Sequence, residues 1–234
     1  MRYGELFAGI GGMSLGLERA GMEPAWFVEI DPFCQKVIKK HWPDVPIYGD
    51  VREVHNLESV DLIAGGFPCQ PVSRSGLRKA QDDERWLWPE FARVVREVGP
   101  RIVLVENTPG LLDVGMGDVL RDLADLGYNA EWNVLSADAL GFPHRRDRVF
   151  LIAYPNQIGL EGGFFDGPRL RTQALSEAEV WGNLPEPVVC AGSYGVSERM
   201  ALIGSAGNAV VPQVAEWIGR RIMEANSILK EAEK

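Results

Sequence analysis

The chain has 234 residues, enough for one large domain or for a domain with a small appendage. With 46% hydrophobic and 24% charged residues it reads as a soluble globular protein, and no apolar run approaches the ~20 residues that cross a bilayer. The net charge of −9 excludes a uniformly basic nucleic-acid-binding surface and leaves only local basic patches.

Three cysteines, Cys34, Cys69 and Cys190, are odd in number and far apart, which argues against a disulfide framework and for a reducing compartment, the cytoplasm. They and the three histidines lack zinc-site spacing, so no metal is expected. No secretory h-region precedes the first structured residues.

Tyr3 to Ala8 predicts a first strand, followed by Gly9-Ile10-Gly11-Gly12 and an apolar helical stretch from Met13 to Ala20. Strand, glycine turn and helix open a nucleotide-binding α/β fold. The third glycine of the dinucleotide fingerprint would fall at Ser14, which argues against a nicotinamide-dependent oxidoreductase. A second strand, Ala25 to Ile30, ends with Glu29, and Asp31-Pro32 reads as the cap and first residue of a helix to His41. A third strand, Val45 to Tyr48, leads to Gly49-Asp50-Val51. Each carboxylate singly reads as a helix cap. Together, at successive strand ends beside the glycine turn, they suit ribose hydroxyls and an adenine amine and suit a pyrophosphate poorly. The ligand expected is an adenosine without phosphates.

From Asp61 the apolar Leu62-Ile63-Ala64 reads as a buried strand, and Phe67-Pro68-Cys69-Gln70-Pro71 as a loop stiffened by prolines around a cysteine. In an open α/β sheet such a loop lies at the ligand crevice. Cys69 is therefore either a nucleophile or a small residue in a turn. Gln70, Ser73, Arg74, Ser75, Arg78 and Lys79 belong to a polar, basic loop suited to closing over a phosphate backbone.

An amphipathic helix starting near Trp88-Pro89 presents Leu87, Phe91, Val94, Val95 and Val98. Arg101 to Val105 is a buried strand ending in Glu106-Asn107, at the same sheet edge as Cys69. Glu106 is either the acid that a nucleophilic mechanism needs or the opening of a turn. Gly117 to Leu126 reads as a helix, and Tyr128 to Leu135 and Arg148 to Ala153 as strands. Between these strands stand His144, Arg145, Arg146 and Arg148, a solvated loop or a clamp for phosphates and base edges. Tyr154 to Gly204 shows no strong period beyond a short helical candidate at Ser176 to Val180. Gly207-Asn208-Ala209-Val210 and a helix from Pro212 to Leu229 close the chain.

In this order the pieces resemble the DNA cytosine-5 methyltransferase family. Phe7-Ala8-Gly9-Ile10-Gly11-Gly12 is similar to its S-adenosylmethionine motif, Gly66-Phe67-Pro68-Cys69-Gln70 to its Pro-Cys motif, and Glu106-Asn107 to its Glu-Asn motif. Arg146-Asp147-Arg148 is similar to the end of its arginine motif, with His144 where the family has Gln, and Gly207-Asn208-Ala209-Val210 to its last motif. The resemblance implies a doubly wound, mostly parallel sheet with one antiparallel strand. It implies a cofactor site of Phe7, Ala8, Gly9, Gly11, Gly12, Glu29, Ile30, Asp50, Val51, Pro68, Leu87, Asn208, Ala209 and Val210. The implied reaction adds Cys69 to carbon 6 of a flipped-out cytosine, with Glu106 protonated at N3 and Arg146, with Arg148, steadying the base carbonyl.

Residues 1–153 with 207–234 would form the catalytic domain, and 154–206 a small irregular insertion in the target-recognition position. So short an insertion points to low sequence specificity on double-stranded DNA, or to a partner chain that supplies recognition. Two alternatives remain: an RNA cytosine-5 methyltransferase, and a silent or partner-dependent S-adenosylmethionine-binding subunit. A cysteine hydrolase has no supporting signature.

Overall fold

Ile102, Val103 and Leu104 are fully buried in succession, which a strand tolerates only when both faces of its sheet are covered. The computed structural model, which describes residues 1–68, 86–138, 146–156 and 209–232, shows that arrangement. Cys69, Gln70, Ser73, Arg74, Ser75, Arg78, Lys79, His144, Arg145 and Asn208 lie outside the described residues, as does the helical candidate at Ser176 to Val180.

Seven strands form one sheet: β1 (Arg2–Leu6), β2 (Glu23–Val28), β3 (Ile47–Tyr48), β4 (Leu62–Gly65), β5 (Ile102–Asn107), β6 (Tyr128–Ser136) and β7 (Asp147–Pro155). Their order is β3-β2-β1-β4-β5-β7-β6. All pairings from β3 across to β5 are parallel, whereas β7 runs antiparallel to both β5 and β6. One reversed strand is the topology expected from the sequence. It also has a chemical consequence. Asn107 pairs with Val149 and Glu106 with Phe150, so the start of β7, carrying Arg148, meets the carboxyl end of β5.

One face of the sheet is covered by α3 (Trp88–Val98) and α5 (Met116–Asp125), with Trp88, Phe91, Val95, Val119 and Leu123 packed on Ile63, Val103, Val105 and Leu151. The other is covered by α1 (Gly12–Arg19), α2 (Pro32–His41) and α6 (Pro212–Ala232), with Met13, Leu17, Ile38, Ala215, Ile218 and Ile222 packed on Tyr3, Phe27, Leu62, Leu104 and Ile152. Each such large side chain contributes about 1.5–3 kcal/mol by leaving water. A Cβ on Gly16 would stand 2.5 Å from the Cβ of Ala215, so the absence of a side chain there lets α6 lie against α1.

Several boundaries differ from the sequence reading, among them β2, which ends at Val28 with Glu29 just beyond it. β1 stops at Leu6 because Phe7 takes a φ of 56°, a left-handed conformation that ends a strand. β5 continues through Asn107, so Glu106 lies within a paired strand and not in a turn. A short helix, α4 (Gly110–Asp113), follows Pro109. β7 extends to Pro155, two residues beyond the expected boundary at Ala153. No described helix is long and apolar enough to cross a membrane.

Candidate active site

The chain leaves β1 for β2 and β3 on one side and returns to β4 on the other. A crevice at the carboxyl ends of β1 and β4 is the ligand position of such sheets.

On the β1 side, Gly9 and Gly11 have φ of 56° and 82°, which glycine reaches without a Cβ clash, and Gly11 caps α1 with no side chain over the helix end. A Cβ on Gly12 would strike the Val210 carbonyl, so the C-terminal segment lies directly on this turn. Glu29 is buried, and its two oxygens are already engaged: Gly9 N–H donates to one at 2.6 Å and Asp31 N–H to the other at 2.8 Å. A carboxylate oxygen keeps a second acceptor position, so this clamp still leaves Glu29 able to take ribose hydroxyls. Next to it Ile30 is 62% exposed, a bare apolar side chain at the crevice.

Asp50 is differently occupied. It accepts from Arg52 N–H at 3.0 Å as the cap of a 3-10 turn (Val51–Glu53), and both its oxygens accept from Arg52 Nε at 3.0 Å. The Arg52 hydrogen bonds hold its carboxyl below the ordinary carboxylate range. An adenine amine would share Asp50 with this guanidinium.

On the β4 side the last described residues before Cys69 are held from β5. Asn107 Nδ2 donates to the Phe67 carbonyl at 3.2 Å, and Asn107 Oδ1 accepts from Thr108 N–H at 2.8 Å. Phe67 is further fixed edge-on by Trp86, ring centroids 5.2 Å apart, and by Trp88 at 5.6 Å. A Cβ on Gly66 would stand 2.7 Å from Glu106 Oε2, so the glycine of Gly66-Phe67-Pro68 makes room for the Glu106 carboxyl. The sequence reading missed Asn107 and Gly66; the signal available was their place inside the two motifs.

Glu106 is 7% exposed, and burial pushes its pKa up to about 7 against the opposing charges of Arg148 and Arg146. Arg148 Nε stands 3.0 Å from Glu106 Oε1 at charge-pair distance, yet that oxygen accepts no aligned hydrogen bond. Arg146 turns elsewhere, donating to the Ala209 carbonyl at 2.8 Å. Of the two arginines, Arg148 is the one at charge-pair distance from the acid. A small apolar-walled cleft of Leu135, Phe150, Val210, Val211 and Val214 carries both arginines.

The structure therefore brings together Phe7, Gly9, Gly11, Gly12, Glu29 and Val210 on one side, and Pro68, Glu106 and Arg148 on the other. The glycine turn with free space over Gly9, buried Glu29 and exposed Ile30 suits an adenosine-bearing cofactor.

A doubly wound sheet with one reversed strand, a glycine turn and a buried carboxyl facing an arginine define a methyltransferase-type α/β domain. The family model for C-5 cytosine-specific DNA methylases matches residues 1–185. The chain belongs to that family. It is 38% identical over 160 residues to the type II methyltransferase M.NgoMIV of Neisseria gonorrhoeae, covering 65% of this chain and 51% of that protein. It is 32% identical to the type II methyltransferase M2.BsuMI of Bacillus subtilis, covering 91% of this chain and 55% of that protein. The chain thus spans about half the length of these relatives. Among solved structures, S. pombe Dnmt2 methyltransferase superposes with a TM-score of 0.57 at 24% identity over 69% of this chain and 53% of that one, which shows the fold.

Proposed function

We propose that the chain methylates carbon 5 of cytosine in double-stranded DNA, with Cys69 as nucleophile and S-adenosylmethionine as methyl donor. The observation that carries this reading is a buried Glu106, with a pKa of about 7, at the sheet edge reached by Phe67-Pro68 and by Arg148. A carboxyl that titrates there is available as an acid at neutral pH.

Carbon 5 of cytosine is a poor nucleophile. The Cys69 thiolate adds to carbon 6, breaking the 5,6 double bond, and the electrons delocalise toward N3. Glu106 in its acid form donates its proton or hydrogen bond at N3 and relieves that charge. Arg148, beside Glu106, would hold the base carbonyl and stabilise the carboxylate once the proton is given, a role its charge-pair distance supports. Arg146 instead fastens the Ala209–Val211 segment that lies over the glycine turn. Bound S-adenosylmethionine supplies an electrophilic methyl group, and Phe7, Glu29, Ile30, Asp50, Val51, Leu87 and Val210 are the residues that would hold it. After transfer, loss of the carbon-5 proton reforms the double bond and expels Cys69 as thiolate. A stacked cytosine does not expose carbon 6 to a thiol held in a loop, so the base is taken out of the duplex.

Target reading falls to residues 154–206 or to a partner chain, and the reaction is placed in the cytoplasm. Base-resolution bisulfite sequencing of a mixed duplex library tests the whole reading. Protected cytosines with the wild type and none with Cys69→Ser are expected, with only a short common flank. Protection by both proteins removes the Cys69 mechanism. Protection confined to a motif of four or more bases contradicts low specificity.

A further inference from the structure

Arg93 lies on α3, and among the described residues its hydrogen bonds go to neither Glu106 nor Arg148. Its guanidinium is held by its own helix, donating from Nε to Glu90 at 2.7 Å and from NH1 to Glu97 at 2.7 Å. His55 Nδ1 is 3.1 Å from the same NH1. The remaining nitrogen, NH2, leaves the helix and donates to the Val51 carbonyl at 2.7 Å. Among the described residues that carbonyl is otherwise used by the long 3.4 Å turn bond from Val54 N–H, so a charge-assisted bond from Arg93 is its stronger partner. Val51 is 3% exposed and follows Asp50 in the turn at the end of β3.

The same helix touches the crevice at two more points. Leu87 is the residue at its N-terminal cap, and Phe91 stacks on Phe7 with centroids 6.4 Å apart and planes 17° from parallel. Three cofactor-site candidates from distant parts of the chain, Phe7, Val51 and Leu87, are therefore referred to one rigid helix. Phe7 is held by an aromatic contact and Leu87 by chain continuity. The Asp50–Val51 turn is held by Arg93.

We propose that Arg93 is a positioning residue for the cofactor: through the Val51 carbonyl it fixes the Asp50–Val51 turn against α3 and so sets its spacing from Leu87. The proposal rests on the adenosine reading of that crevice. Arg fits the task better than Lys, because its planar fork is fixed by two carboxylates while a third nitrogen makes the long-range bond.

The test is calorimetric titration of the full chain with S-adenosylmethionine and with its demethylated product, for wild type, Arg93→Met and Arg93→Lys, alongside kcat, KM and melting temperature. Loss of one charge-assisted hydrogen bond predicts about tenfold weaker binding of both ligands in Arg93→Met, with kcat at saturation within about twofold. Arg93→Lys, which keeps one donor for the carbonyl, is expected to recover most of that affinity. Wild-type affinity in a folded Arg93→Met, or a fall in kcat with affinity unchanged, overturns the proposal. Should Arg93→Met fail to fold, Arg93→Gln, read against Arg93→Lys, decides: its shorter, neutral side chain gives up the charge-assisted Val51 bond, so about tenfold weaker binding supports the proposal and wild-type affinity contradicts it. Wild-type binding without methylation of any DNA would remove the methyltransferase reading while leaving the Arg93 comparison intact. No binding of either ligand by the wild type would remove both.

Discussion

On the β1–β3 side of the crevice, most carboxylate partners are close by in sequence: Glu29 takes the N–H two residues on as well as that of Gly9, 20 residues back, and Asp50 takes both the N–H and the guanidinium of Arg52. On the β4–β5–β7 side the partners are distant. Asn107 reaches back 40 residues to Phe67, and Arg146 reaches 63 residues forward to Ala209. The first side is shaped mainly by turns and caps that the local chain specifies, with a few distant contacts added. The second exists only once the sheet has formed and β7 has reversed. Under the proposed function, chemistry falls to the half most dependent on topology, and cofactor capture to the half most dependent on local backbone.

If that division holds, substitutions on the two sides separate kinetically. The largest effect is expected for Arg148→Met, which leaves Glu106 buried without its neighbouring charge: kcat should fall about 10²–10³-fold while cofactor affinity, read by calorimetry, stays unchanged. An equal loss of affinity would merge the two sides. Asn107→Ala comes next. It strips the Phe67 carbonyl and the Thr108 N–H of their partner, at about 1–3 kcal/mol of stability and several degrees of melting temperature, and loosens the residues leading to Cys69. A kcat about 10²-fold lower with the cofactor KM retained is the expected signature.

The pH profile gives a smaller, signed effect. Burial raises the Glu106 pKa to about 7, so the acid form that serves N3 predominates below that pH and is lost above it. Turnover at saturation should therefore decline above pH 7, by about tenfold per unit once the carboxylate dominates. Glu106→Gln should remove that limb while lowering the plateau. Arg148→Met should move it to higher pH, because the Arg148 charge opposes the upward shift. The folding linkage has the same direction: a raised carboxyl pKa stabilises the protein fully below the ordinary carboxylate range and loses that contribution as pH climbs through about 7. The smallest effect belongs to Glu29→Gln. Its amide would face a backbone N–H donor, from Gly9 or Asp31, and the cofactor KM should rise about tenfold with kcat nearly constant.

The same contrast explains what was legible in the sequence. Strand ends bearing Glu29 and Asp50, the Asp31-Pro32 helix start and the glycine turn are local patterns with local causes, and the structure has each of them in its expected place. The single reversed strand came from the family resemblance, and the pairing in the structure bears it out. The sequence names Arg146 and Arg148 together for the base carbonyl, and their spacing says nothing of which one pairs with Glu106. The reversed pairing of β7 with the end of β5 brings Arg148 within reach of it. Gly66 and Asn107 were read as motif letters because the clash and the tether they serve involve residues on another strand. Arg93 sat on a helix read for its apolar face, where a charged residue carries no visible signal of a carbonyl 42 residues away.

The proposed mechanism requires a covalent bond from Cys69 to the target base. Duplex DNA carrying 5-fluorocytosine, which has no carbon-5 proton to lose, tests it most directly when incubated with the protein and S-adenosylmethionine. The account predicts a denaturant-stable protein–DNA adduct whose crosslinked peptide contains Cys69, absent in Cys69→Ser. An adduct mapped to Cys34 or Cys190, or unmodified protein beside 5-methylated control DNA, would contradict it.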